Sequence, residues 1–132
     1  MIQLPAQTSI KQSKAVLRHL HSHVHDRMAI STQNGLVIVR FADLLYCEAM
    51  SNYCKLHLKD GTSVLASKPL KSINSFLPAR EFVRVHQSYV VRFDAILTAS
   101  RNVTLSGGAE IPVSRSRYNY LMNYLRARLP II

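Results

Sequence analysis

Four histidines fall at alternating positions in one short segment, HLHSHVH, residues 19–25. On a helix, His19 with His23 and His21 with His25 would be four residues apart, a spacing that can bind zinc. The segment has no neighbouring cysteine and lacks the glutamate of an HExxH motif. Because structural zinc needs ligands on a rigid frame, we predict a solvated linker here, and we expect no metal and no other cofactor.

The acids and cysteines form no recognisable catalytic pattern. The seven carboxylates make no evident pair, and the chain has no GxSxG, P-loop or GxGxxG motif. Cys54 and His86 could in principle form a thiol–imidazole pair, but no family signature surrounds Cys54, so a packed thiol is favoured. Cys47 and Cys54 lack CxxC spacing, which favours two reduced, half-buried thiols. We therefore predict that the protein is not an enzyme.

The basic residues give the strongest chemical signal. Seventeen Lys and Arg oppose seven acids, for a net charge of +10. A folded domain this basic typically meets a polyanion, either nucleic acid or an anionic membrane surface, although a merely basic protein is the alternative. From residue 80 onward every Lys or Arg is an arginine, whose planar fork suits phosphates and guanine edges.

Polar residues interrupt the chain at three predicted loops, in MSNYCK (50–55), FVRVHQSYVV (82–91) and PVSRSRY (112–118). In the second, four polar side chains break an otherwise apolar strand. The third places two arginines in the first turn of a helix, where exposed N–H groups already attract anions. These side chains either lie in solvent or contact phosphates and bases.

The elements that must position these loops are mostly strands. A chain of 132 residues is one domain that can bury a core. No run of about 18 apolar residues could span a membrane, and MIQLPAQTSI is no secretory signal, so we expect a cytoplasmic protein. Asn34-Gly35 and Asp60-Gly61 predict hairpin turns. A composition break near residue 26 separates a helical, His-rich segment (1–26, with a helix at 7–20) from a β domain (27–132).

Two further helices are predicted within the β domain. Ser67 is a candidate N-cap for residues 68–77, whose apolar stripe is Leu70, Ile73, Phe76 and Leu77. Ser114 is a candidate cap for a last helix, roughly 115–128, whose apolar face is Tyr118, Leu121, Met122, Leu125 and Leu129. Strand-like runs are predicted before the first of these helices at residues 27–32, 36–40, 46–49, 53–58 and 62–67, and after it at 82–91, 95–99, 102–106 and 109–113. Alternation in residues 53–58 predicts Lys55 and His57 on one face and Cys54 and Leu56 on the other.

Three segments, in this order and spacing, resemble the LytTR family of bacterial DNA-binding domains: DLLYCEAMSNYCKLHLKDG (43–61), FVRVHQSYVVRFDAI (82–96) and EIPVSRSRY (110–118). The strongest signature is Phe82-x-Arg84-Val85-His86-x-Ser88-Tyr89-x-Val91, and the resemblance covers about residues 28–126. It implies a mainly β fold of about ten short strands in stacked antiparallel sheets with two or three short helices. It also implies double-stranded DNA as partner: loops enter successive major grooves of promoter direct repeats, in pairs, behind a receiver or sensor protein that could act in trans.

Carried over by position, the resemblance implies base contacts from Cys54, Lys55, Gln87 and Arg115. It assigns phosphate contacts or loop support to Asn52, Arg84, His86, Ser88, Ser114 and Arg117, and His86 is equally well interpreted as a structural pin. The chain departs from the family at Arg92, where a structural Asn is usual, and at Gln87, where a basic residue is common. The alternative function is a basic β module that binds RNA or protein.

Overall fold

The computed structural model describes residues 26–132, so the predicted helix at 7–20 and the His-rich segment lie outside the described part. That part contains ten strands and two α-helices. The strands are β1 (Arg27–Thr32), β2 (Gly35–Arg40), β3 (Leu44–Met50), β4 (Tyr53–Leu58), β5 (Ser63–Ala66), β6 (Phe82–His86), β7 (Tyr89–Arg92), β8 (Ile96–Ala99), β9 (Asn102–Leu105) and β10 (Glu110–Pro112). The helices are α1 (Leu70–Asn74) and α2 (Tyr118–Arg128). No helix among residues 26–132 is long and apolar enough to cross a membrane.

The strands form three antiparallel sheets. The β1–β2 hairpin is one, the order β5-β4-β3-β7-β6 makes the second, and β10-β9-β8 makes the third. The predicted hairpin turns lie where the sequence places them, with Gly35 at φ 107° and Gly61 at φ 91°, a backbone region that glycine enters without steric penalty. The predicted fold class, stacked antiparallel sheets with few helices, is confirmed.

The five-stranded sheet is central and buries both of its faces. Along β4, Cys54 and Leu56 are buried while Lys55 and His57 point to the other face, as the alternation predicts. One apolar cluster joins the first face to the β1–β2 hairpin and α1. A second cluster joins the opposite face to the three-stranded sheet and α2. Neighbouring residues such as Val90 and Val91 therefore belong to different cores.

Residues 82–91 are two strands, not the single run that the sequence predicts. β6 and β7 pair antiparallel around a tight turn at Gln87 and Ser88, with a register irregularity between Arg84 and His86. Gln87 and Ser88 therefore form the tip of a hairpin, and Arg84 and His86 lie in the strand that leads to it. Both strands contribute to the two cores: β6 places Phe82 in the first and Val83 and Val85 in the second, and β7 places Val90 in the first and Val91 in the second.

Neither predicted serine cap forms. α1 begins at Leu70 with Pro69, not Ser67, at the N-cap position, and it has no side-chain cap bond. The backbone N–H of Ser67 donates to the carbonyl of Ser31 at 2.7 Å, which ties this segment to the β1–β2 hairpin. The helix ends after five residues, and Phe76, predicted to be buried, is 71% exposed. Before α2, Ser114 precedes a 3-10 turn (Arg115–Arg117) and its side chain makes no cap bond.

The buried face of α2 differs in part from the predicted one. Leu121 and Leu125 are buried as predicted, but Tyr118 and Leu129 are exposed. Tyr124 is buried instead, and its hydroxyl donates to the carbonyl of Ala79 at 2.8 Å. The preceding 3-10 turn delays the start of the α-helix to Tyr118, which places that residue at the edge of the core.

Arg92 shows how the chain accommodates its departure from the family pattern. The side chain is 3% exposed, and its Nε donates to the carbonyl of Leu44 at 2.6 Å. Its guanidinium lies 4.7 Å from the centroid of the Phe82 ring, and Nη1 is 3.7 Å from carboxylate oxygens of Glu81 and Asp94. Arg92 therefore has a structural role, in which it satisfies a backbone carbonyl at the end of β3.

Candidate nucleic-acid interface

Antiparallel pairing brings four connecting segments to one end of the molecule. They are residues 51–52 between β3 and β4, 87–88 between β6 and β7, 100–101 between β8 and β9, and 113–117 before α2. One backbone hydrogen bond joins two of them directly, from the N–H of Val113 to the carbonyl of Arg101 at 2.9 Å. Two more tie a segment to a neighbouring strand: the N–H of Ala49 in β3 donates to Ser88 at 2.8 Å, and the N–H of Ser114 donates to Val85 in β6 at 2.9 Å. We call these four segments the loop end.

In the β6–β7 turn, the neighbours of Gln87 hold its backbone and leave its side chain free. Arg84 Nη2 donates to the carbonyl of Gln87 at 2.6 Å and its Nε donates to the carbonyl of His86 at 3.3 Å. The backbone N–H of Ser88 donates to His86 Nδ1 at 3.1 Å, which requires that ring nitrogen to be unprotonated. Arg84, His86 and Ser88 thus support the turn, while Gln87 is exposed at its tip.

At the β3–β4 turn, the predicted base contact of Cys54 is wrong. Cys54 is 0% exposed and belongs to the first core cluster, so its side chain is not available to a base. Asn52 is exposed at the turn itself, after Ser51 with a left-handed φ of 62°, and Lys55 is half-buried on the outward face of β4. Asn52 and Lys55 are therefore the side chains that this segment presents.

Cys54 is also no partner for His86. The Cys54 thiol shares a hydrogen bond with the thiol of Cys47, which raises the pKa of Cys47 well above its usual value and lowers that of Cys54. The ring of His86 instead packs edge-on against Tyr89, with centroids 5.7 Å apart. Both cysteines are free and fully buried, deeper than the half-buried thiols that the sequence predicts.

The segment before α2 holds the third group of predicted residues. Arg115 is exposed, and the backbone N–H of Arg117 donates to the carbonyl of Ser114 at 3.0 Å. Burial lowers the pKa of the Arg84 guanidinium, and the nearby positive charge of Arg117 lowers it further. The β6–β7 turn and this segment therefore place their positive charges side by side.

A polar network on the central sheet anchors the β6–β7 hairpin. Glu48 Oε1 lies 2.9 Å from His57 Nε2, and the hydroxyl of Tyr89 donates to Glu48 Oε2 at 3.4 Å. The Tyr46 and His57 rings stack with centroids 4.1 Å apart. Burial, followed by the Glu48 charge, raises the pKa values of Tyr46 and Tyr89. Tyr89, the residue that follows Ser88, is thereby fixed to β3.

Charge is distributed unevenly between the two ends of the strands. Six of the seven acids lie in or beside connections at the end opposite the loop end: Asp26, Asp43, Asp60, Glu81, Asp94 and Glu110. There the two oxygens of the Asp26 carboxylate pair with Arg27 and Arg40. The loop end carries Arg101, Arg115 and Arg117 with no acid within its four segments. Its field therefore favours an anionic partner.

These residues match a known family of DNA-binding proteins. The family model described as the LytTr DNA-binding domain matches residues 34–126. The chain belongs to the LytTR family. Its biochemical role is accordingly that of a DNA-binding domain in transcription regulation.

Two relatives place this LytTR domain more closely. It is 30% identical over 122 aligned residues to the sensory transduction protein LytT of Bacillus subtilis (strain 168), a match that covers 83% of this chain and 50% of that protein. The chain thus spans about half the length of this curated relative. It also shares its fold, with a TM-score of 0.65 and 22% identity, with the LytTr DNA-binding domain of a putative methyl-accepting/DNA response regulator from Bacillus cereus, over 76% of this chain and 96% of that one.

The sequence does not single out Arg101 of the LytTR domain, which the structure places at the loop end. The signal available was its position between two predicted strands, because an arginine in a tight turn has an exposed side chain. Only tertiary pairing shows that the turn meets the segment before α2, through the bond from Val113 to Arg101. Among residues 26–132, no group of three or more His, Cys, Asp or Glu is placed to hold a metal ion.

Proposed function

We propose that this LytTR domain recognises specific duplex sequences by placing the loop end in successive major grooves of promoter repeats. The observation that carries the proposal is the braced β6–β7 turn, in which Arg84 and His86 fix the backbone and Gln87 remains exposed. A preorganised polar tip suits base readout, because little side-chain or loop freedom is lost on binding.

The residue roles follow from hydrogen-bonding capacity. Gln87 can pair with N6 and N7 of adenine, and Arg115 with O6 and N7 of guanine. Asn52, exposed at the β3–β4 turn, takes the base-reading position that the burial of Cys54 leaves vacant. Lys55 and Arg117 contact phosphates, which provide affinity and register but carry no sequence information.

The domain binds as a pair on direct repeats, because a single loop end contacts only a few base edges. A receiver or sensor protein, joined to the domain or supplied in trans, would control this pairing. The domain itself is non-catalytic, cytoplasmic and independent of cofactors in this proposal. These points are inferred from the family match and from the position of the loops.

The decisive experiment selects binding sites from a random pool of duplex DNA at several salt concentrations. We expect an enriched, repeated motif. We also expect a slope near −5 when the logarithm of the binding constant is plotted against the logarithm of salt concentration (the salt exponent), which corresponds to about six phosphate contacts. Arg115→Ala should weaken binding to that motif by about 1–3 kcal/mol and relax preference at one position. Retention without enrichment would contradict sequence-specific readout.

Binding of single-stranded RNA is the alternative outcome of the same experiment, repeated with an RNA pool. Such binders stack bases on exposed sheet aromatics. Here Tyr46 and Tyr89 are half-buried and engaged with Glu48 or His57. The central sheet therefore offers no free stacking platform at these positions, which favours duplex DNA.

A further inference from the structure

A cavity of about 580 Å³ opens beside the loop end, between the β8–β9 turn and the segment that leads into α2. Its volume is within the range of small-molecule sites in proteins. The hydrogen bond from the backbone N–H of Val113 to the carbonyl of Arg101 ties its two walls together at 2.9 Å. The lining residues are Ser100, Arg101, Val113, Ser114, Arg115 and Tyr118.

The cavity contains positive charge that no acid neutralises. Arg101 and Arg115 both line it, and neither guanidinium is within 4.0 Å of a carboxylate of residues 26–132. Two like charges on one cavity repel each other, and a bound anion would relieve that repulsion. By contrast, Arg92 at the opposite end has two acids 3.7 Å away.

Ser114, one of the lining residues, has a buried hydroxyl that is not used within the fold. The Oγ atom of Ser114 is buried and has no hydrogen-bond partner in the described part of the chain. Its backbone is held independently, because the N–H of Ser114 donates to the carbonyl of Val85 at 2.9 Å. A buried hydroxyl without a partner is unfavourable. Rotation of the Ser114 side chain about its Cα–Cβ bond toward an anion in the cavity would give this hydroxyl an acceptor.

We propose that this cavity is a phosphate-binding pocket in which Arg101 and Ser114 hold one phosphate group, with Arg115 at its rim. The guanidinium fork of Arg101 matches two phosphate oxygens, and the Ser114 hydroxyl donates to a third. If the phosphate is a phosphodiester of bound DNA, this proposal rests on the proposed function. The phosphate of a small phosphorylated molecule has the same chemistry, so the experiment has an arm for each source.

The DNA arm compares the full chain with Arg101→Ala, Arg101→Lys and the control Arg80→Ala, an exposed arginine at the opposite end. Affinity is measured on a selected duplex and on a random duplex over a range of salt. Arg101→Ala should weaken both by roughly tenfold, as expected for a charge-assisted hydrogen bond, and reduce the salt exponent by about one. Arg101→Lys should restore the salt exponent, because the charge is kept, but not the full affinity, because lysine lacks the guanidinium fork. Equal behaviour of Arg101→Ala and Arg80→Ala would overturn the DNA source.

The second arm titrates the protein, without DNA, with inorganic phosphate and with a nucleoside monophosphate, and follows backbone amide signals by NMR. The signals of Arg101 and Ser114 should shift saturably, and Arg101→Ala should abolish the shift. Ser114→Ala should weaken phosphate binding without lowering the melting temperature, because it removes a hydroxyl that has no hydrogen-bond partner among residues 26–132. Phosphate binding without DNA binding would support the pocket while contradicting the proposed function. If neither arm responds to Arg101→Ala, the pocket is wrong.

Discussion

Arg84 donates to the carbonyl of Gln87 at 2.6 Å across the β6–β7 turn, so a residue of the strand holds the residue at its tip. This bond separates the two roles in the turn. Arg84 and His86 set the backbone conformation, whereas Gln87 is the group that the backbone presents. Substitutions at the two positions should therefore have different effects on DNA binding.

Gln87→Ala should change preference at one base position and leave the salt exponent unchanged, because glutamine is uncharged and contacts a base edge. Arg84→Ala should weaken binding to all sequences and also blur that same position, because the turn loses its brace. Binding-site selection with both variants, at several salt concentrations, measures the two effects. Identical motifs from wild type and Gln87→Ala would contradict the role given to Gln87.

Asn52→Ala and Cys54→Ala form a second contrasting pair. Asn52 is exposed at a turn, so its removal should alter the selected motif and leave stability within about 0.5 kcal/mol. Cys54 is fully buried, so Cys54→Ala should destabilise the fold by about 1–2 kcal/mol and leave the motif unchanged. Urea denaturation and site selection on the same preparations check both. A motif changed by Cys54→Ala alone would restore Cys54 as a reading residue.

Arg92→Met should reduce the free energy of unfolding by about 2–3 kcal/mol. Methionine retains much of the buried volume, but the carbonyl of Leu44 loses the Arg92 Nε donor. Because Arg92 lies at the end of the strands opposite the loops, the affinity of the folded variant for DNA should not change. The matched control is Arg80→Met at an exposed position, where the change should stay within about 0.5 kcal/mol. Equal stability of the two variants would show that Arg92 is not structural.

Alkaline pH should destabilise the fold through Tyr89. Burial and the Glu48 charge raise the pKa of Tyr89, so the folded state retains the phenol proton more strongly than the unfolded chain does. This contribution to stability is complete below the unfolded tyrosine pKa near 10, and is lost as pH rises through the higher folded value. The urea midpoint should therefore fall above pH 10, and less steeply in Tyr89→Phe. If the urea midpoints of wild type and Tyr89→Phe fell equally between pH 9 and 11, Tyr89 would not be a source of the pH dependence.

Local sequence patterns predict most of the framework. Alternation along β4, the Asn-Gly and Asp-Gly turns and the family signature give the strands, the mainly β class and the DNA-binding family. These features succeed because each depends on residues a few positions apart, through side-chain periodicity or the conformational freedom of glycine.

The site residues divide differently. The sequence selects Gln87 and Arg115, which are exposed at the loop end, but it also selects Cys54, which is buried, and passes over Arg101. Burial in the two helices is also mispredicted: Phe76 is expected in the core and is exposed, whereas Tyr124 is not expected there and is buried. Arg92, by contrast, fills a buried position that its charge would argue against.

The sequence by itself therefore determined most of the strands, the Asn-Gly and Asp-Gly turns and the class of ligand, while the tertiary structure alone decided which side chains face that ligand. Pairing between distant strands brings Arg101 beside Val113 and Ser88 beside Ala49, and no local pattern encodes those contacts. The physical reason is that the exposure of a side chain depends on what packs over it. In this domain two cores cover opposite faces of one sheet, so burial is set by partners far away in the chain.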